Sequence, residues 1–133
     1  MDSHQENIQI GMVAKQLGVS TRTIRYYEEI GLMGEDHRQS GSTRSYTQKD
    51  ILRLRFILKL KEIGITLKEM REISINYELN NQATDKMLPK LITILDSNLE
   101  NIETKIKNLQ AVNQDIENYK KRVIKLMQQG DLI

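Results

Sequence analysis

The sequence predicts a mainly α-helical chain in which a compact N-terminal unit of short helices is followed by one long helix. Three features lead to this prediction. Two short helical segments meet at a glycine-containing turn, two later segments begin with a threonine and an acidic residue three positions on, and residues 90–129 contain neither glycine nor proline. Along most of the chain the signals for helix starts, the signals for helix ends and the spacing of apolar residues all indicate helices. Strands are therefore expected only in one short polar stretch.

The segment IGMVAKQLGV predicts a short helix that ends in a tight turn. Its apolar side chains Val13, Ala14 and Leu17 fall on one face at helical spacing. Gly18 favours a stop, and Ser20 can cap the next helix by accepting a hydrogen bond from a backbone N–H of the first turn. A helix, a turn containing glycine and a second helix together predict a helix-turn-helix.

The second helix, TRTIRYYEEIGL, has one apolar face and one basic, aromatic face. Ile24 and Tyr27 lie on the apolar face, which can join a core. A face that carries arginines can meet a polyanion such as DNA. A solvated surface helix, or a pairing of Arg25 with a neighbouring glutamate, is the alternative. The polar face carries Arg22, Arg25, Tyr26 and Glu29.

The polar stretch of residues 33–46 predicts a small hairpin. A turn near residues 39–42 would place Arg38 and Arg44 on its two arms, with Tyr46 close behind. These side chains would then project beside the second helix. A loop without regular structure is the alternative.

Two further helices begin with capping boxes. Thr47 is followed by Asp50, and Thr66 is followed by Glu69, three residues on in each case. The first of these helices is rich enough in apolar residues to be the central core helix, and Gly64 is its expected stop. The second is expected to run to about residue 75.

A polar segment, residues 78–86, is predicted to link the unit of residues 8–77 to a long helix of residues 87–129. Pro89 is tolerated in the first turn of such a helix, where its missing N–H costs little. Forty residues at about 1.5 Å each span roughly 60 Å, more than a domain of this size can cover. A second helix is therefore expected beside it.

The long helix carries the seam of a coiled coil, because apolar residues recur at alternating steps of four and three. At residue 109 two steps of three follow each other, from 106 to 109 and from 109 to 112, and this stammer rotates the apolar stripe. We expect the regular part to pair with a second copy and the rotated part to pack elsewhere, for example on the second copy's N-terminal unit. A hairpin within one chain that bends near residues 113–114 is the alternative. The predicted dimerisation residues are Leu88, Ile92, Leu95, Leu99, Ile102, Ile106 and Leu109.

The composition of the chain argues against several classes of function. The 133 residues include no cysteine and two histidines, and no phosphate loop or nucleophile motif is present, so we expect no enzyme, no metal and no cofactor. No apolar run reaches the length of a membrane span, which predicts a cytoplasmic protein without membrane contact. Residues 8–77 hold twelve Lys and Arg against eight Asp and Glu, a mild positive charge that favours a phosphate partner.

These motifs together resemble those of the MerR family of bacterial transcription regulators. The resemblance covers residues 8–77 and, in architecture only, the long helix. The features that carry it are the segment IGMVAKQLGVSTRTIRYYEEIGL and the residues Gly41, Arg44, Tyr46, Asp50, Leu54 and Gly64.

The resemblance implies a winged helix-turn-helix DNA-binding domain with a small β wing, joined in a homodimer by an antiparallel coiled coil. It implies binding to double-stranded DNA at a promoter pseudo-palindrome whose spacer is bent and untwisted, so that the protein acts on RNA polymerase indirectly. By the same mapping, Val13, Leu17, Ile24 and Tyr27 belong to the core. DNA contacts are expected from Thr21, Arg22, Thr23, Arg25 and Tyr26 in the second helix and from Arg38, Arg44 and Tyr46 in the wing.

The same resemblance implies an effector that thiolates do not bind, because the chain has no cysteine. The layout is weakly similar to small members that control branched-chain amino-acid or fatty-acid breakdown, which implies a small apolar or acyl-CoA-like effector. The expected pocket lies between the rotated stripe, at Val112, Ile116 and Tyr119, and the helices of the second copy. A DNA-architectural or recombination accessory protein with a related winged fold is the alternative function.

Overall fold

The structure, a computed structural model, describes residues 7–34 and 45–130. The mainly α-helical class is confirmed. The predicted hairpin turn at residues 39–42, and the side chains Arg38 and Arg44, lie outside the described residues. In chain order the elements are β1 (Ile8–Gln9), α1 (Ile10–Leu17), α2 (Thr21–Glu29), β2 (Ser45–Tyr46), α3 (Gln48–Glu62), α4 (Leu67–Leu79) and α5 (Thr84–Gln129).

Helices α1 and α2 form the predicted helix-turn-helix. Gly18 ends α1 in the left-handed conformation, with φ of 71°, which a residue with a Cβ adopts at a cost. Ser20 caps α2, because its hydroxyl oxygen accepts a hydrogen bond from the backbone N–H of Thr23 at 3.1 Å. Ile24 and Tyr27 are buried on the inner face of α2, as their spacing predicts.

A two-stranded antiparallel sheet joins β1 to β2, with Ile8 opposite Tyr46 and Gln9 opposite Ser45. Strand β1 was not predicted from the sequence. Two residues are too few to show the alternation of apolar and polar side chains by which a strand is recognised. The sheet brings the start of the described chain beside the residues that lead into α3.

Helices α3 and α4 begin with the two predicted capping boxes. The backbone N–H of Thr47 donates to the Asp50 carboxylate at 2.9 Å, and that of Thr66 donates to Glu69 at 2.9 Å. Reciprocal bonds from the N–H groups of Asp50 and Glu69 to the threonine hydroxyls measure 3.2 and 3.1 Å. The core side chains that these helices bury are Ile51, Leu54, Ile57, Leu60, Met70 and Ile73.

The connection from α4 to α5 is shorter than predicted, because α4 continues to Leu79 and α5 begins at Thr84. Only residues 80–83 of the predicted 78–86 linker lie outside the helices. Asn81 and Gln82 reverse the chain there in left-handed conformations, with φ of 57° and 61°. Pro89 is thus the sixth residue of α5, so the proline marked the start of this helix only to within about a turn.

Helix α5 is continuous over 46 residues, or ~70 Å at 1.5 Å per residue. The alternative of a hairpin bending near residues 113–114 is therefore wrong. By contact density the chain divides into a unit of residues 1–92, which includes the first turns of α5, and a unit of residues 93–133. The functional division into residues 8–77, 78–86 and 87–129 stays a prediction. Within the described residues, no helix combines the length and apolarity that crossing a membrane requires.

Candidate nucleic-acid interface

The outer face of α2 presents the side chains expected to meet DNA. Arg22 and Arg25 are exposed, and Tyr26 keeps 46% of its surface accessible. The Tyr26 ring is braced by buried Tyr27, whose ring centroid lies 5.8 Å away at an angle of 54°. Two guanidinium forks and one aromatic ring on a rigid helix can bind phosphates and base edges.

The two threonines at the start of α2 are half-buried. The hydroxyl of Thr23 lies 3.0 Å from that of Ser20, so it takes part in the cap of the helix. Thr21 follows the cap directly and lies in the first turn, where helix N-termini attract phosphate. The DNA contacts of Thr21 and Thr23 stay predictions.

Tyr46 has a different role from the one predicted. Its side chain is only 1% exposed, and its hydroxyl donates to the Glu28 carboxylate at 2.6 Å. Burial raises the pKa of Tyr46 well above its usual range, and the hydrogen bond to Glu28 raises this pKa further, while nearby Arg25 lowers it. The predicted contact with the DNA backbone is wrong, because the buried ring cannot reach a phosphate.

A sequence signal for the burial of Tyr46 exists. Tyr46 directly precedes the N-cap Thr47, and Ile51 follows that cap by four positions. An apolar residue before the cap commonly packs against the fourth residue of the helix in a hydrophobic staple. Both Tyr46 and Ile51 are 1% exposed, which agrees with that pattern.

Arg53 is a residue that sequence reasoning missed. Its Nε donates to the backbone carbonyl of Leu32 at 2.7 Å, Nη1 donates to the Glu78 carboxylate at 2.7 Å, and Nη2 donates to the hydroxyl of Ser74 at 3.0 Å. Its guanidinium carbon lies 5.2 Å from the ring centre of Tyr77. The available signal was a charged residue between apolar neighbours in the helix that the sequence predicts to be the central core helix.

A cavity of about 460 Å³ lies within the unit of residues 1–92. The predicted effector residues Val112, Ile116 and Tyr119 do not line it; they are 51–62% exposed on α5. Within residues 7–34 and 45–130, no three His, Asp or Glu side chains are grouped closely enough to hold a metal ion. The walls of the cavity are mostly apolar and include Leu52, Phe56, Leu60, Met70, Tyr77 and Leu88.

The predicted seam of α5 is largely open to solvent in the single chain. Leu88 is 43% exposed, Leu99 is 60% exposed and Leu109 is 68% exposed. Leu95 is half-buried. Ile92, Ile102 and Ile106 are 48–57% exposed. Large apolar side chains in one continuous stripe mark a surface that another apolar surface covers.

Comparisons with known proteins agree with this geometry. The family model described as MerR HTH family regulatory protein matches residues 8–74, and the model described as MerR, DNA binding matches residues 51–119. The HTH-type transcriptional regulator YyaN of Bacillus subtilis is 32% identical, over 77% of this chain and 80% of the relative. A ZntR homologue of Haemophilus influenzae is 33% identical, over 77% of this chain and 73% of the relative.

Solved structures show the same fold. The crystal structure of PbrR691 from Ralstonia metallidurans in complex with lead(II) superimposes with a TM-score of 0.67 at 25% identity, covering 86% of this chain and 85% of that one. The matched segments span the helix-turn-helix, the capped helices and much of α5. The chain therefore belongs to the MerR family of helix-turn-helix transcription regulators and carries that family's DNA-binding domain.

Proposed function

We propose that two copies of this regulator pair through α5 and bind one promoter pseudo-palindrome, each through the outer face of α2. The observation that carries the proposal is the exposed apolar seam from Leu88 to Leu109 on an unbroken helix that follows the DNA-binding domain. Burying such a stripe removes apolar surface from water at a gain of ~25 cal/mol per Å². In a homodimer the apolar stripe of each copy covers that of the other, because both copies carry the same residues.

An antiparallel seam has a defined register. If the pairing is symmetric about the midpoint of the stripe, Leu88 of one copy lies opposite Leu109 of the other. Residue 113 then lies opposite Thr84, where α5 of the second copy begins, so residues 114–119 extend past that point towards its α4–α5 connection. The rotated stripe of one copy thus reaches the first unit of the second copy, whose cavity is lined by Tyr77 and Leu88.

This register supports the proposed effector site. Val112, Ile116 and Tyr119 of one copy would face the second copy beside its cavity, so that a small apolar or acyl-CoA-like molecule is enclosed by both. The chain has no cysteine, so the ligand is not held by thiolates. An effector bound across two copies can shift the balance between two arrangements of the dimer only if it binds them with different affinities.

The proposed action is a distortion of the promoter spacer. Two copies of α2 held at a fixed separation by the dimer would contact two half-sites on one side of the duplex. Bending and untwisting DNA costs on the order of 1–6 kcal/mol, which phosphate contacts from both copies offset. RNA polymerase would respond to the altered spacer rather than to the protein itself.

The test is footprinting on the DNA upstream of the chain's own gene, together with sedimentation of the protein alone and with that DNA. We expect one protected dyad within a promoter spacer and a complex of two copies per dyad. Protection of phased sites at a recombination junction would instead support an architectural protein. A single copy bound to a single half-site would overturn the proposed dimer.

Arg25→Ala tests the assigned face of α2, with Lys121→Ala on α5 as a control that removes the same charge. Both residues are exposed, so neither change disturbs a core. Arg25→Ala should abolish operator binding and leave the dimer intact. Lys121→Ala should retain both operator binding and the dimer. An Arg25→Ala protein that shifts the operator with the salt dependence of the unaltered protein would contradict the assignment.

A further inference from the structure

We propose that Arg53 is a positioning residue for DNA recognition, which holds the end of α2 to α4 and to the α4–α5 connection. This inference rests on the proposed role of α2 in reading bases. By this proposal, an internal arginine keeps α2 in the orientation that its base contacts require.

Arg53 makes its hydrogen bonds inside the protein. Its side chain is 15% exposed, and each of its three guanidinium nitrogens donates a hydrogen bond within its own domain. Its charge is balanced by Glu78, whose carboxylate oxygen lies 2.7 Å from Nη1. We therefore expect Arg53 to act on DNA through the groups that it holds.

The first of these groups is the backbone just after α2. The carbonyl of Leu32, which accepts from Arg53 Nε, lies three residues beyond the end of the helix. A bond to a charged donor fixes that carbonyl more firmly than a neutral bond would. Leu32 itself is 2% exposed, so the carbonyl and the side chain together hold the end of α2 in one place.

The fit around the cluster is close at Gly34. A Cβ at this position would lie 2.8 Å from the Glu78 carboxylate and 3.1 Å from Arg53 Nη1, and Gly34 has a φ of 91°. The left-handed backbone favours glycine here, and a Cβ would displace the Glu78 carboxylate from its present position. The arginine–glutamate pair thus also sets the path of the chain where it leaves the described segment of residues 7–34.

The cluster continues to the α4–α5 connection. The side-chain amide of Gln82 donates to both carboxylate oxygens of Glu78 at 3.2 and 3.3 Å, and its oxygen accepts from the amine of Lys49. Gln82 is one of the two residues of the connection in the left-handed conformation, with φ of 61°. A change in the connection would therefore alter the hydrogen bonds of Glu78, which in turn holds Arg53.

The consequence for recognition follows from geometry. Base contacts require the side chains of α2 to form hydrogen bonds with particular donor and acceptor groups in the major groove, whereas attraction to phosphates depends mainly on charge. If Arg53 positions α2, its loss should weaken binding to the operator but leave binding to unrelated DNA unchanged. A direct phosphate contact would weaken both alike.

The test compares Arg53→Met with Lys61→Met, which removes the same charge from an exposed position at the end of α3. Affinities are measured for the footprinted operator fragment and for a scrambled duplex of equal length over a range of salt concentrations. We expect Arg53→Met to lower operator affinity about tenfold, roughly the loss of one base contact, with an unchanged salt slope and unchanged affinity for the scrambled duplex. Lys61→Met should keep the ratio of the two affinities.

Two variants keep the test decisive if Arg53→Met folds poorly in circular dichroism. Arg53→Lys retains the charge but can reach only some of the three acceptors. It should therefore recover part of the ratio of operator affinity to scrambled-duplex affinity. Glu78→Gln keeps the shape of the pair and should lower the ratio without touching α2. If all folded variants keep the ratio of the unaltered protein, the positioning role is wrong. If the unaltered protein does not distinguish the two duplexes, the proposed function of α2 fails instead.

Discussion

The hydrogen bond from Tyr46 to Glu28 makes a prediction about stability and its dependence on pH. In Tyr46→Phe the ring remains in the core, but the donor to the Glu28 carboxylate, 2.6 Å away, is lost. A hydrogen bond to a charged group contributes about 1.5–3 kcal/mol to the free energy of unfolding. Glu28 is half-buried, so water can solvate it in part, and we expect a loss near the lower end of that range.

The pH dependence has a definite sign. Burial and the bond to Glu28 raise the pKa of Tyr46, so the folded protein keeps the phenol proton at a pH where the unfolded chain loses it. The stabilisation is therefore complete below the unfolded pKa of about 10 and is lost as the pH rises above it. The difference in stability between the unaltered protein and Tyr46→Phe should thus shrink at alkaline pH.

Urea denaturation followed by circular dichroism measures this difference at about pH 7, 9 and 10.5, at one protein concentration because dimer formation shifts apparent stability. Tyr119→Phe is the control, since Tyr119 is 57% exposed on α5. It should change the free energy of unfolding by no more than about 0.5 kcal/mol. A Tyr46→Phe effect that is as small as the control, or that stays constant across the three pH values, would refute the reasoning.

Two other changes test the core and the seam. The hydroxyl of Tyr27 is buried without a hydrogen-bond partner among the described residues, so Tyr27→Phe should raise the free energy of unfolding by about 1 kcal/mol in urea titrations; a loss of stability would show that the hydroxyl is satisfied. Leu99→Glu places two carboxylates close together at the middle of an antiparallel seam and should give single subunits in sedimentation, whereas Ser97→Glu, exposed on the same helix, should remain dimeric. A dimeric Leu99→Glu protein would exclude the proposed pairing.

Local signals in the sequence predicted most of the helices. The cap at Ser20 and the capping boxes at Thr47 and Thr66 depend on residues three positions apart, so the chain itself brings the partners together. The continuous α5 follows from a long run without glycine or proline. The start of that helix was misplaced by three residues because the prediction relied on Pro89 as the mark of its first turn and did not treat Asn81, a residue type that favours the left-handed conformation, as a turn residue.

The contacts that give the candidate interface its geometry could not be predicted in the same way. Tyr46 and Glu28 are 18 residues apart, and Arg53 is 21 residues from Leu32 and 25 residues from Glu78. Such pairs form only when helices pack, and no spacing rule along the chain links them. Residue type alone favoured a surface position for Arg53, which charged residues usually take.

The two unpredicted contacts hold the same part of α2 from the same side. Tyr46 directly precedes the cap of α3 and Arg53 is the sixth residue of that helix, so both donors belong to its beginning. Their acceptors, Glu28 and the carbonyl of Leu32, lie at the last turn of α2 and just beyond it. A helix that ends in two glutamates is disfavoured by its own dipole, and α2 has no basic residue in its last turn. The end of α2 is held by its own glycine cap, in which the N–H groups of Gly31 and Leu32 donate to the carbonyls of Glu28 and Tyr27 at 3.1 and 3.0 Å, and by α3 in addition. The contacts with α3 make the orientation of the DNA-binding face a property of the packed domain.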